Sequence, residues 1–341
     1  KRKINNLHKK NENYQILNQA IKSQSEGNIV QAIKYYEFLI AKGLQESVVF
    51  SNYGILLINS GRLKEALFSI RKAIELNPSD DKLHSNLGGI LKDLGKLKEA
   101  ELSIRKAIEL NPKDAILHTN LGGIFKDLGK LKEAELSIRK AIEFHPDFVN
   151  AYYNLGIILS DLGRLKEAEV AYRKATELKP DYTDAYLNLG IILSDLGKLK
   201  EAEYSIRKAI ELNPDFAVAH CNLGGILSDL GKLEEAELST RKAIELNPDY
   251  TIANLNLGNI LKDLGKLEEA ELSTRKAIEL NPDFVIAHSN LGGILNDLGK
   301  LEEAELSTRK AIELDPDYAD AYLNLGGILN DLGKLEEAEL S

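Results

Sequence analysis

A unit of 34 residues recurs along almost the whole sequence, and this period constrains the fold more than any other feature. Two irregular copies flank the regular ones: a looser copy at 13–46 and a shortened copy at 319–341. A period of this size is typical of architectures in which similar supersecondary units stack in a row. The regular copies are 47–80, 81–114, 115–148, 149–182, 183–216, 217–250, 251–284 and 285–318.

Each copy predicts two short helices. We number the places in a copy from 1 to 34, so that Asp81 stands at position 1. In the copy 81–114, apolar residues from Leu87 to Leu94 follow the i, i+3, i+4, i+7 spacing of an amphipathic helix. Gly95 is expected to end it, because glycine adopts the left-handed conformation past a helix C-terminus. A second apolar stripe then runs to Pro112, which cannot continue a helix.

The small and apolar residues of this unit form a known signature, carried in the copy 81–114 by Leu87, Gly88, Leu91, Ala100, Ile104, Ala107 and Pro112. With them the chain resembles the tetratricopeptide repeat (TPR) family over nearly its whole length. The resemblance implies an all-α, right-handed superhelical solenoid of helix–turn–helix repeats with a period of 34. At position 4 the family usually has an aromatic residue, whereas this chain often has histidine, so we expect a core closed by smaller or more polar groups.

The ends depart from the regular pattern. Residues 1–12 are expected to form a basic, polar N-terminal tail, and 13–46 a degenerate repeat that caps the stack. The copy 319–341 stops inside its second helix, and the sequence contains no methionine. We therefore expect both ends to be the ends of a fragment. In one of the alternatives below, the parent protein carries another domain.

Composition excludes several classes of function. The net charge of −9 disfavours nucleic acid and anionic membranes as partners, although the basic tail leaves a phosphate-binding arm as an alternative. The single cysteine, Cys221, allows no intrachain disulfide and is compatible with a cytoplasmic location. No apolar run is long enough to span a membrane. We find no catalytic constellation and expect no cofactor.

Histidines at position 4 are too far apart to share one metal ion, because at least one whole repeat separates each from the next. We predict a packing role for them and no metal site. These histidines are His84, His118, His220 and His288.

The second helix carries regular charges. Glu101, Arg105 and Glu109 are four residues apart, which predicts exposed ion pairs. Position 18 is lysine up to Lys200 and glutamate from Glu234 onward, and position 24 changes from mostly isoleucine to threonine at the same boundary. Duplication of two blocks would explain both changes without any function.

Asparagine occupies position 6 of every copy, and aspartate occupies position 13 of most. Positions seven apart project from nearly one face of a helix, and the TPR resemblance implies that the first helices line a concave groove. We therefore predict a peptide-binding groove in which asparagines pair with the backbone of an extended peptide. The aspartates oppose the helix dipole, a local violation typical of functional sites. The candidate residues are Asn52, Asn86, Asn120, Asn154, Asn188, Asn222, Asn256, Asn290, Asp93, Asp127, Asp161, Asp195, Asp229, Asp263 and Asp297.

The alternative is that asparagine is simply common at this TPR position and the aspartates are solvated. A row of asparagines also resembles the substrate-recruiting TPR arm of O-linked N-acetylglucosamine transferases, in which such asparagines hold the acceptor peptide's backbone and aspartates select side chains. The other known TPR mode, a basic clamp for a C-terminal carboxylate, is not favoured, because lysine at position 12 occurs only in Lys92, Lys126 and Lys262.

The sequence thus predicts a non-enzymatic scaffold that binds extended, basic or neutral protein segments. One alternative is the recruiting arm of a larger, glycosyltransferase-like enzyme whose catalytic domain lies outside this chain. A second is a solenoid that self-associates by stacking through its uncapped C-terminal repeat.

Overall fold

The computed structural model describes the backbone of residues 2–334 and the side chains of residues 11–334. Over that part of the chain, α-helix is the only regular element, in agreement with the predicted all-α class. The helices are α1 (Arg2–Ser25), α2 (Ile29–Ala41), α3 (Ser47–Asn59), α4 (Leu63–Leu76), α5 (Asp81–Asp93), α6 (Leu97–Leu110), α7 (Ala115–Asp127), α8 (Leu131–Phe144), α9 (Val149–Asp161), α10 (Leu165–Leu178), α11 (Thr183–Asp195), α12 (Leu199–Leu212), α13 (Ala217–Asp229), α14 (Leu233–Leu246), α15 (Thr251–Asp263), α16 (Leu267–Leu280), α17 (Val285–Asp297), α18 (Leu301–Leu314) and α19 (Ala319–Asp331).

Each regular repeat begins with a helix at position 1 and turns back at the glycine of position 15. Gly95 has φ +73°, the left-handed conformation expected of it. Its N–H donates to the carbonyl of Lys92 (2.9 Å), and the N–H of Lys96 donates to that of Leu91 (2.8 Å). These two bonds satisfy carbonyls that the helix end would leave open. A second helix then runs from position 17 to position 30.

In five repeats the side chain at position 4 makes a hydrogen bond to the loop that precedes it. In four repeats a histidine donates from Nε2 to the carbonyl of the proline six residues earlier, at 2.8–2.9 Å. Tyr322 makes the same contact with Pro316 through its hydroxyl, at 3.0 Å. The sequence predicts a packing role for the four histidines; only His118 is buried, and what all four share is the hydrogen bond to the preceding loop.

The two helices of a repeat approach closely at the glycine of position 8. A Cβ built on Gly88 would lie 2.5 Å from Cδ1 of Ile104 and 3.5 Å from the carbonyl of Ala100. Ala100, Ile104 and Ala107 are buried in the same contact. The predicted close approach of small residues is thus present in this repeat.

The chain divides into two compact units, Lys1–Arg164 (unit 1) and Leu165–Ser341 (unit 2). Within each unit the second helix of one repeat packs on the first helix of the next, as α4 packs on α5 and α12 on α13. Successive first helices also contact one another, as α5 contacts α7 and α13 contacts α15. Apolar contacts continue between repeats, because Leu257 and Leu261 of one repeat share a core cluster with Ile294 of the next. Each unit is therefore a solenoid of stacked helical hairpins.

The two ends follow this pattern over the residues that the structure describes. The predicted boundary at residue 12 lies inside α1, which packs against α2 as the first helix of a repeat. At the other end, α19 is the first helix of the tenth repeat. The second helix of that repeat, with the stacking surface predicted on it, lies outside the described residues.

Of the predicted ion pairs, Arg105 contacts Glu101 at 2.9 Å, whereas Glu109 pairs with Lys106 instead, at 2.8 Å. Ion pairs of the second helices also extend between repeats. Arg241 donates to Glu237 on its own helix (2.9 Å) and to Glu269 on the next second helix (2.7 Å). Lys266 donates to the other carboxylate oxygen of Glu237, at 2.7 Å. Only 12% of the Glu237 side chain is exposed. The same three-way arrangement recurs around Glu203 and Glu271.

This network predicts a loss of stability in acid. The bond from Lys266 outweighs the effect of burial and holds the pKa of Glu237 below its ordinary value of 4.5, and Lys300 does the same for Glu271. Because these pKa values are lowered in the folded state, the stabilisation is fully present above pH 4.5 and is lost as the pH falls through the lowered values. We expect the free energy of urea unfolding to fall over that range. The variant Glu237→Gln/Glu271→Gln should have a shallower decline, and an unchanged slope would contradict this origin.

Candidate functional site

One face of each first helix carries positions 2, 6, 9 and 13, which are spaced by four, three and four residues and therefore align along the helix. We call this the inner face, because first helices contact one another directly along the stack. In unit 2 the helices α13, α15 and α17 carry Asn222, Asn256 and Asn290 at position 6 of this face. These three asparagines are half-buried.

Several asparagines of this row connect successive first helices. The amide nitrogen of Asn290 donates to Oδ1 of Asn259 in the preceding repeat, at 2.8 Å. In the same way Asn256 donates to Sγ of Cys221 (3.5 Å), and Asn324 donates to the hydroxyl of Ser289 (3.0 Å). Such bonds fix the orientation of the amide. They leave its oxygen, an acceptor with two lone pairs, for another group.

Two other asparagines of the row use their nitrogen differently. Asn52 donates to the hydroxyl of Tyr36 on α2, at 3.1 Å, and Asn222 donates to the carbonyl of Val218 on its own helix, at 2.8 Å. The row therefore has a structural part that sequence reasoning missed, since the partner of each amide belongs to a neighbouring helix or to the preceding turn.

The aspartates of position 13 end their helices and are exposed, but several are paired. Lysine at position 12 of the preceding repeat contacts the carboxylate in the pairs Lys92–Asp127 (3.3 Å), Lys126–Asp161 (4.0 Å) and Lys262–Asp297 (3.2 Å). The acidic row is therefore interrupted. For Asp229 and Asp263, position 12 of the preceding repeat is a serine, Ser194 and Ser228 respectively, in place of lysine. Neither aspartate forms an ion pair with any of the described residues.

The structure adds an apolar row at position 2 that sequence reasoning missed. Val218, Ile252 and Ile286 are 38%, 51% and 42% exposed, in three successive repeats of unit 2. The sequence pattern that could have predicted this row is an apolar residue that recurs at position 2, outside the apolar stripe that forms the core. In these repeats the inner face thus presents an apolar row, an asparagine row and an acidic row in parallel.

Other reactive groups do not form a site. Cys221 is buried, and burial raises the pKa of its thiol, which keeps it protonated and weakly nucleophilic. No cluster of three or more His, Cys, Asp or Glu residues suited to a metal ion occurs in the described part of the chain. Among residues 2–334, no helix is both long and apolar enough to cross a bilayer.

Comparison with family models identifies the repeats. One tetratricopeptide repeat model matches residues 49–80, 82–114 and 115–148. A second matches 149–182, 183–216, 217–250 and 252–284, and a TPR repeat model matches 292–333. The chain therefore belongs to the tetratricopeptide repeat family. Repeats of this family are a non-catalytic fold that takes protein or peptide partners, so this chain is a protein-interaction repeat scaffold and not an enzyme.

Two solved structures share the fold, and a third is similar over part of the chain. The chain is similar to the APC/C hetero-tetramer Cut9–Hcn1, with 18% identity over 88% of this chain and 59% of that chain and a TM-score of 0.60. It is also similar to pilF of Pseudomonas aeruginosa, with 17% identity over 64% of this chain and 97% of that one and a TM-score of 0.56. YrrB, described as a TPR protein with an unusual peptide-binding site, is 29% identical over 54% of this chain and 95% of its own, with a TM-score of 0.48. No curated protein matched the chain.

Proposed function

We propose that the inner face binds an extended protein segment, and that the repeats 217–318 of unit 2 are its principal contact. One observation carries the proposal: in these repeats an exposed apolar row and an acidic row lie on either side of oriented asparagine amides. The proposal extends to the whole set of asparagines and aspartates predicted from the sequence. Unpaired Asp229 and Asp263 contribute more than the lysine-paired aspartates.

The chemistry of an extended chain matches these three rows. Its backbone N–H groups are donors that must be satisfied on burial, and the amide oxygens of Asn256 and Asn290 can accept them whatever the sequence. Its side chains alternate between two sides. Apolar side chains on one side would therefore contact Val218, Ile252 and Ile286, while lysine or arginine on the other would meet Asp229 and Asp263. The expected partner is basic or neutral.

A series of three labelled 12-residue peptides tests this. Leucine alternates with lysine in the first, with glutamine in the second and with glutamate in the third. We expect affinity to fall in that order by fluorescence anisotropy, with the difference between lysine and glutamine peptides shrinking as salt screens the charges. Equal affinities, or tightest binding of the glutamate peptide, would contradict the proposal.

Paired variants locate the binding face. Asp229→Asn/Asp263→Asn should weaken binding of the lysine peptide about tenfold, on the order of 0.7 kcal/mol for each exposed charge pair. The matched control is Asp249→Asn/Asp283→Asn, which changes the net charge equally but alters exposed loop carboxylates. Similar losses in both variants would mean that only net charge matters.

A blocking variant avoids removing any structural bond. A Cβ added to Gly225 at position 9 has no atom within 4 Å, so Gly225→Tyr should cover the inner face without disturbing the fold. We expect it to abolish binding of all three peptides while helix content by circular dichroism is unchanged. Binding that persists with wild-type affinity would exclude this face.

The proposal also covers what the bound segment is used for and where in the cell binding takes place. Recruitment of segments to a transferase domain would use the same face, and the cytoplasm suits a chain whose single cysteine is free and buried. We propose the free scaffold as the simpler of the two uses.

A further inference from the structure

A second apolar row lies on the other side of the repeats, at position 22 of the second helices. Its members are 64–73% exposed, which is unusual for large apolar side chains. Single exposed leucines are common in proteins, but one in each successive repeat makes a continuous feature within each unit. We call it the outer row: Phe68, Leu102, Leu136, Val170, Tyr204, Leu238, Leu272 and Leu306.

Clefts open beside the outer row, between successive second helices of unit 2. The cleft beside Leu306 has a volume of about 520 Å³, and its apolar wall includes Ile278, Leu291 and Leu295. An equivalent cleft of about 490 Å³ lies beside Leu238. Each is large enough to receive an apolar side chain. In these repeats the surface therefore places an exposed apolar side chain beside a largely apolar cleft.

Most charged side chains beside the outer row are paired with one another in the ion network of the second helices. Position 25 arginines pair with glutamates at positions 21 and 19, and position 26 lysines pair with glutamates at position 29. Position 18, one turn before the outer row, is different. It is exposed, and no ion pair of its residues occurs in the described part of the chain.

The sign of position 18 also changes along the chain. It is basic in Lys64, Lys98, Lys132, Lys166 and Lys200, and acidic in Glu234, Glu268 and Glu302. The sequence alone allowed this to be a trace of duplication. Within unit 2 these unpaired charges flank the outer row with opposite sign, basic at Lys166 and Lys200 and acidic from Glu234 to Glu302. That surface is complementary in charge to itself.

We propose that the outer row is a self-association surface, on which lysine-bearing repeats of one copy pack against glutamate-bearing repeats of a second copy. Apolar side chains at position 22 of one copy enter clefts of the other, and position 18 charges of opposite sign face each other. A second copy is the occupant that fits, because only a chain with the same repeat spacing matches several clefts at once. This surface is separate from the inner face and does not depend on the proposed peptide binding.

Sedimentation velocity of the full chain tests the proposal. We expect the mass to rise with concentration to twice that of the single chain. The variant Leu238→Ser/Leu272→Ser/Leu306→Ser should remain a single chain at concentrations at least tenfold higher. These side chains are exposed, so the fold should persist. A wild type that is monomeric at every concentration would overturn the proposal, and so would association that survives the triple substitution.

Charge-reversal variants at position 18 distinguish association through this surface from nonspecific association. Glu234→Lys/Glu268→Lys/Glu302→Lys makes position 18 basic throughout, and Lys64→Glu/Lys98→Glu/Lys132→Glu/Lys166→Glu/Lys200→Glu makes it acidic throughout in the described repeats. Each variant alone should associate at least tenfold more weakly than wild type, and a mixture of the two should associate again. Failure of the mixture to associate, or full association of either variant alone, would contradict the proposal. Stacking through the chain's end would be insensitive to all these changes.

Discussion

Gly88→Val should lower the stability of its repeat by about 3 kcal/mol, the upper end of the usual cost of overpacking. A Cβ at residue 88 would meet Cδ1 and Cγ1 of Ile104 at 2.5 and 2.6 Å, and the carbonyl of Ala100 lies 3.5 Å away. The side chain of Ile104 is itself buried and cannot move into solvent. Helices α5 and α6 must therefore separate to accept the substitution.

The neighbouring glycine supplies the control. Gly89 is in the same helix, but a Cβ there has no atom within 4 Å. Gly89→Val should raise stability by about 0.4 kcal/mol, because valine has the higher helix propensity. Urea unfolding and amide hydrogen exchange of α5 and α6 would measure both variants. Equal effects of the two substitutions would contradict the close helix approach at position 8.

The second large effect is expected from the threonines at position 24. Thr240, Thr274 and Thr308 are completely buried at the contact between the helices of their repeats. The hydroxyls of Thr240 and Thr274 donate to the carbonyls four residues earlier, at 2.8 and 2.9 Å, while that of Thr308 has no partner among the described residues. Replacing all three by isoleucine should raise stability by about 3 kcal/mol, from added apolar burial at each position and from loss of the unpartnered Thr308 hydroxyl.

The N-terminal repeats explain why isoleucine should fit. Ile104 packs against Gly88 in the same frame in which Thr240 packs against Gly224. Thr251→Ile, at the half-exposed start of α15, is the control and should change stability little. The reverse change, Ile70→Thr/Ile104→Thr/Ile138→Thr, should lower the urea midpoint. A triple isoleucine variant with an unchanged or lower midpoint would show that the C-terminal repeats pack differently.

The fold could be predicted from the sequence because its determinants are local and repeated. The glycine of position 15 ends a helix through its own conformation, and the proline of position 32 ends the next through its missing N–H. Repeat-to-repeat identity then makes one correct assignment valid for the whole chain. The placing of Asn256 and Asp229 on the first helices followed from the same reasoning.

The interactions of the site could not be predicted in this way, because they join residues of different repeats. Lys92 and Asp127 are 35 residues apart, and their contact depends on how one first helix lies beside the next. The exposure of Ile252 and Leu238 depends on the same stacking. A sequence pattern shows which residues share a helix face, but not which faces the neighbouring helices cover.

Site-directed photocrosslinking would test the central claim, that partners bind on the first helices. A benzophenone amino acid in place of Ser228 lies next to Asp229 of the inner face, whereas one in place of Leu272 lies on the outer row. Illumination with the labelled leucine–lysine peptide should crosslink the first variant and not the second. Crosslinks confined to residue 272 would contradict the account and would place peptide binding on the second helices.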